Sequence, residues 1–218
     1  MITESTRWAV VIPREQFEKI KSSEDLSLIV ALARAVNALH FVHEPLLRTD
    51  WDDTPASMRT RYNSLLFTCA LFAEASSLVQ GMHKSFGNNL KFKELAGIAN
   101  SKESSKILSQ HVWKLRKKFV FHFDAQEAQE QLSTLELQEP VFVTCLGTMK
   151  INTYNELADI VALRILIGSE FPKDKSRAKE LIQQITKVVL AFLEAAEDFI
   201  VDVAVERHWT EVVLDDRS

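Results

Sequence analysis

The residues of this chain whose types and spacing could do chemistry gather in one stretch, Leu115-Arg116-Lys117-Lys118-Phe119-Val120-Phe121-His122-Phe123-Asp124. An imidazole is the side chain whose ordinary pKa lets it take or give a proton near neutrality. His122 therefore suits a general base, or the acid that protonates a leaving oxygen. A guanidinium stays charged and presents forked donors, so Arg116 suits the negative charge that builds on a phosphorus under attack. Lys114, Lys117 and Lys118 add charges that hold flanking phosphates without reading sequence. Such a set suits attack of a ribose 2′-hydroxyl on the neighbouring phosphate, a reaction for which DNA is inert. On an ideal helix, six residues turn His122 about 120° from Arg116 and raise it roughly 9 Å. Convergence on one phosphate thus requires a helix break near residues 121–124, or a second chain. The alternative is a structural histidine, because His122 lies seven residues from Leu115 and fourteen from Leu108, close to the apolar side of the same helix.

Other candidates are thinner. His40 and His43, with Glu44 beside them and Asp50, Asp52 and Asp53 following, have helical spacing that suits a metal, but no matching ligand pair occurs elsewhere. His83, His111 and His208 stand without a motif. The acidic residues Glu194, Asp198 and Asp202 form a stripe that reads as solvent-facing rather than as a metal site. There is no glycine-rich phosphate loop, no Cys-x-x-Cys pair and no Gly-x-Ser-x-Gly elbow. No metal and no cofactor are expected. Cys69 and Cys145 are too few for a disulfide framework and each sits in an apolar run, which predicts buried thiols.

Charge sharpens attention on the same region. The chain carries a formal net charge of −4. Between Met82 and His122, nine Lys and Arg face only Glu94 and Glu103, a balance of +7 that leaves −11 for the rest. Such a split produces a basic face on an acidic molecule, unless acidic neighbours in the fold neutralise it. With 218 residues, five Gly and five Pro scattered without a linker, one domain with its own core is expected. The first residues lack the basic flank and apolar stretch of a signal peptide. The apolar segment 188–205 is interrupted by Glu194, Glu197, Asp198 and Asp202, which a bilayer tolerates poorly. A cytoplasmic chain with no membrane partner follows.

The elements that must position these residues are mostly helices, since apolar residues recur at spacings of three and four. Ser22 or Ser23, followed by Glu24 and Asp25, opens a helix to about Leu47, and Thr54-Pro55 caps another that runs to near Gly81 or Gly87. A short helix is expected near Phe92 to Ile98. Ser101 then begins the basic helix, with Leu108, Val112, Leu115 and Phe119 on its apolar side. Thr153-Tyr154-Asn155-Glu156 has the form of a capping box before a helix over 157–167. Pro172 sits near the start of the last and longest helix. Residues 141–152 read as a β-hairpin around Gly147-Thr148, and Trp8 to Ile12 as a short extended piece. The fold class predicted is all-α: an antiparallel helical bundle with one small hairpin insertion.

Within such a bundle, the Arg116 to Asp124 segment resembles the signature of the HEPN superfamily, an Arg separated from a His by four to six residues; here the number is five. The resemblance covers about ten residues plus the helical pattern. It implies a homodimer whose two motifs share one cleft, and in many members metal-independent endoribonuclease activity, which makes Arg116 and His122 the catalytic pair. Other members only bind nucleotides or nucleic acid, or act as scaffolds. The enzymes often carry Asn, Asp or His directly after the Arg, whereas this chain has Lys117. RNA or a nucleotide is the partner implied.

Overall fold

The computed structural model describes residues 8–48, 54–108, 112, 125–136, 155–168 and 175–214. In chain order these form β1 (Trp8–Val11), α1 (Arg14–Ile20), α2 (Glu24–Leu47), α3 (Pro55–Gly81), α4 (His83–Phe86), α5 (Leu90–Ala99), α6 (Lys102–Ile107), α7 (Ala125–Ser133), α8 (Glu156–Ile167), α9 (Lys175–Glu206) and β2 (Glu211–Leu214). The architecture is an all-α helical bundle with a two-stranded sheet formed by its first and last described elements.

Local chemistry sets four of the nine described helix starts. The side chains of Ser23, Thr54, Asn89 and Ser101 each accept a hydrogen bond from the backbone N–H three residues on, so α2, α3, α5 and α6 begin where an orphan donor finds an acceptor. Pro55 follows Thr54 in the first turn of α3, where its missing N–H costs nothing. Two expectations need correction here. The helix that Ser101 caps ends at Ile107, because Leu108 (φ −77°, ψ 16°) leaves helical geometry. The start of α8 is Asn155 at the cap with Glu156 as the first helical residue, and the Asn155 side chain does not accept the capping hydrogen bond from the helix backbone. A box with Glu156 three residues inside the helix is therefore not what opens it. The predicted hairpin at 141–152 lies outside the described residues, as do Thr153, Pro172 and Cys145.

The helices close around one continuous cluster of buried apolar side chains contributed by α2 through α6, α8 and α9. Leu32, Leu39, Leu65, Phe72, Phe192 and Phe199 are among its fully enclosed members, each contributing about 1.5–3 kcal/mol relative to an exposed position. Aromatic edges organise two zones of it. Phe72 of α3 meets Phe192 of α9 edge-on at 5.4 Å, and Phe86, Phe92 and Phe199 join α4, α5 and α9 at centroid distances of 5.2–6.2 Å. Cys69 is buried in the same core, which pushes its thiol pKa up.

The end of α9 reverses through His208, whose φ of 56° is left-handed. The Trp209 N–H reaches back to Ala204 O (2.9 Å) and the His208 N–H to Val205 O (3.0 Å), the bond pattern of a Schellman turn. Trp209, buried, plugs the end of the bundle and sends the chain into β2, which pairs antiparallel with β1 in the register Trp8 to Leu214 and Val11 to Glu211. The stretches Glu24–Leu47 and Ser57–Gly81 are long and apolar enough to cross a membrane by length and composition. Core helices of a bundle pass the same test, and most of the second stretch is buried against its neighbours.

Candidate functional site

Arg116 and His122, with Lys114, Lys117 and Lys118, lie outside the described residues. What the structure defines is the frame around that segment. On its N-terminal side α6 packs on α9, Ile107 is buried, and Val112 is helical and 1% exposed, so the chain is held in the core four residues before Arg116. On its C-terminal side α7 starts at Ala125, directly after Asp124, and packs on α8. There Arg164 of α8, 3% exposed, donates from Nη2 to Thr134 O (3.2 Å) and Thr134 Oγ1 (3.0 Å), fastening the end of α7. A buried guanidinium persists only with such partners.

The basic stretch that leads to the motif is partly neutralised. Lys91 Nζ sits 3.1 Å from Glu94 and 3.2 Å from Asp198, and these carboxylates raise its pKa. Two residues earlier, Asn89 Nδ2 donates to Asp202 (2.7 Å) and Glu206 (2.9 Å). Partner numbers fall along α9 as they rise along α5, so the two helices run antiparallel. Of the acidic stripe of α9, Glu194 and Asp198 are exposed, as the sequence predicts, whereas Asp202 is half-buried; Asp198 and Asp202 also serve as partners of α5 and its cap Asn89. Charge counting along the chain could not show this pairing, because its members are 107 to 117 residues apart.

The histidine pair of α2 divides between two environments. His40 is half-exposed and its Nε2 lies 2.7 Å from Glu197 Oε1 on α9. His43, three residues on, is 1% exposed, and neither ring nitrogen has a hydrogen-bond partner among the described residues. Burial, assisted by His40, pushes its pKa down to about 4, so the ring is neutral at physiological pH. Among the described residues no three His, Cys, Asp or Glu side chains gather closely enough to hold a metal.

Two surface grooves are also present. One, about 630 Å³, runs between α5 and α9 over a floor of Gly97, Ile98, Val188, Ala191 and Ala195. The other, about 560 Å³, lies between the end of α2 and the start of α3, with Phe41, Pro45, Phe67, Arg48 and Arg59 on its walls. Both of those arginines are already engaged within the chain. Arg59 acts on Asp159 of α8, whose carboxyl burial pushes up to about 6 against the pull of that guanidinium. Neither groove was anticipated from sequence. The one available signal was Gly97 in the middle of a helical pattern, a residue that needs a packing or functional reason there. The chain matches no protein-family model, no curated protein and no solved structure.

Proposed function

We propose that this chain is a cytoplasmic HEPN-like protein acting on RNA, a metal-independent endoribonuclease whose Arg116 and His122 work as a pair in the cleft of a homodimer. The observation that carries this reading is the Arg116-x5-His122 spacing, followed by Phe123-Asp124, within a bundle of long helices. His122 takes the 2′-hydroxyl proton or returns one to the leaving oxygen, and Arg116 meets the charge on phosphorus. Lys114, Lys117 and Lys118 hold the flanking backbone. The chain is read as a single domain, because the buried cluster is continuous from α2 to α9.

A second reading keeps the fold and removes the chemistry: a dimeric module that binds nucleotides or nucleic acid, or serves as a scaffold. Lys117, standing where HEPN enzymes often carry Asn, Asp or His, favours it. So does the engagement of Lys91 by carboxylates, which subtracts from the field a polyanion would feel.

Incubation of purified protein with mixed RNA in excess EDTA separates the two. The nuclease reading expects cleavage that survives chelation and falls on the order of a hundredfold in His122→Ala, with a comparable loss in Arg116→Ala. Salt-sensitive RNA binding without cleavage in any variant would establish the second reading. Cleavage that stops on chelation would remove both in favour of a metal enzyme.

A further inference from the structure

We infer that the groove between α5 and α9 is a docking site for a basic amphipathic helix of a partner protein. The argument begins with Gly97. Glycine weakens a helix interior relative to alanine, so its presence in the middle of α5 calls for a reason. Backbone geometry supplies none, since Gly168 is the one glycine with positive φ among the described residues. Packing within the chain supplies none either, since a Cβ on Gly97 would meet nothing within 4 Å. What the missing side chain does is deepen the groove floor opposite Ala191 and Ala195, which lie one helical turn apart on α9. Small residues on both walls let another backbone approach closely, while Ile98 and Val188 supply apolar surface.

Length and charge select the occupant. The α9 wall runs from Lys187 to Asp198, about 16 Å of helix, enough to seat roughly three turns of a second one. Around the rim, Glu94, Glu103, Glu194 and Asp198 outnumber Lys93 and Lys187. Lys91 already engages Glu94 and Asp198, but Glu103 and Glu194 have no ion pair among the described residues. Beyond the groove the same helix continues acidic through Asp202 and Glu206, which accept hydrogen bonds from Asn89. With Lys91 counted the rim still keeps one more carboxylate than ammonium, so a helix with a stripe of small aliphatic residues flanked by Lys or Arg complements this surface better than a nucleic acid does. The site therefore stands whether or not the ribonuclease reading does.

The test uses the full chain and a fluorescein-labelled 18-residue helical peptide with an Ala/Leu stripe flanked by lysines, beside a twin carrying glutamate in place of lysine. Fluorescence anisotropy should show saturable one-to-one binding of the lysine peptide, weakening as salt rises, and at least tenfold poorer binding of the twin. Gly97→Leu fills the groove and improves helix propensity, so it should melt no lower than the wild type while losing at least tenfold in affinity. Glu103→Lys with Glu194→Lys should lose a similar factor. The proposal fails if both peptides bind alike, if Gly97→Leu binds the lysine peptide undiminished, or if neither peptide binds. It fails equally if sedimentation shows a wild-type dimer that Gly97→Leu dissociates, because the occupant is then a second copy of this chain.

Discussion

On the buried face of α2, which packs against α3 and α9, the imidazole of His43 is sealed from water with no partner for either nitrogen among the described residues. Where α5 meets α9, the polar groups of Asn89, Lys91, Asp198, Asp202 and Glu206 sit at the surface and bond one another above a layer of Phe86, Phe92 and Phe199. The first seam buries polarity and loses its hydration, while the second keeps polarity in solvent and buries hydrocarbon beneath it. The contrast shows that hydrogen bonds seen at a seam do not measure its strength. A satisfied exposed pair exchanges water for a neighbour at little net gain, whereas an unsatisfied buried group keeps its full desolvation cost.

The largest consequence is for the aromatic layer. Phe199 is fully enclosed and touches Phe86 at 5.2 Å and Phe92 at 5.4 Å. Phe199→Ala should cost about 3–5 kcal/mol in urea unfolding, from lost transfer energy plus the cavity left behind. A loss below about 1 kcal/mol would mean that the seam is held by its surface bonds after all, and the comparison would break.

The His43 seam predicts acid sensitivity. Its folded pKa of about 4 lies below the ordinary 6.5, so between those values the unfolded chain binds the extra proton. Stability present above pH 6.5 is lost as pH falls toward 4, by an amount on the order of 3 kcal/mol. His43→Leu removes both the titration and the unpaired nitrogens. It should raise stability at pH 7 by about 1–2 kcal/mol and flatten this part of the pH profile. Equal acid loss in wild type and variant, followed by urea titration at pH 7, 5.5 and 4.5, would place the sensitivity elsewhere.

Much of the frame was legible in sequence, and the reason is locality. Ser23, Thr54 and Ser101 announce helix starts because the donor each one satisfies is three residues away. The extended piece at Trp8 was legible too, but its mate Glu211–Leu214 was not, since nothing local marks which strand a strand will pair with. The turn into β2 was hidden for another reason: His208 takes the left-handed position that glycine usually signals. In the candidate site, the roles proposed for Arg116 and His122 rest on residue type and spacing alone, since both lie outside the described residues. The neutralisation of Lys91 was not, because Asp198 reaches it only through the antiparallel packing of α5 on α9. The opposed fates of His40 and His43 likewise follow from which face of α2 each occupies, a difference of three residues that the sequence shows only once the buried face is known.

A half-buried acid with a partner sharpens the contrast from the other side. The Asp159 carboxyl titrates near 6 against an ordinary 3.8, with burial outweighing Arg59. Here the sign reverses: the stability it contributes is complete below pH 3.8 and is lost as pH rises through 6. Asp159→Asn preserves shape and removes the charge, so it should gain about 1 kcal/mol at pH 7, with the gain vanishing near pH 3.5. A loss at pH 7 instead would show that the Arg59 interaction outweighs desolvation.

The smallest effect is expected where the most bonds are visible. Lys91 is half-exposed, and its two carboxylate contacts compete with water. Lys91→Ala should leave the urea midpoint unmoved within error, and raising salt should not change the wild-type midpoint through this pair. The substitution also frees Asp198 and Glu94 at the end of the α5–α9 groove, making that rim more acidic. The same variant should therefore bind the lysine peptide more tightly while its stability stays constant. A clear drop in midpoint would mean that the lysine stem, and not its charge, seals hydrocarbon beneath the seam. Lys91→Met, which keeps the stem and discards the charge, would then restore the midpoint and assign the loss to packing.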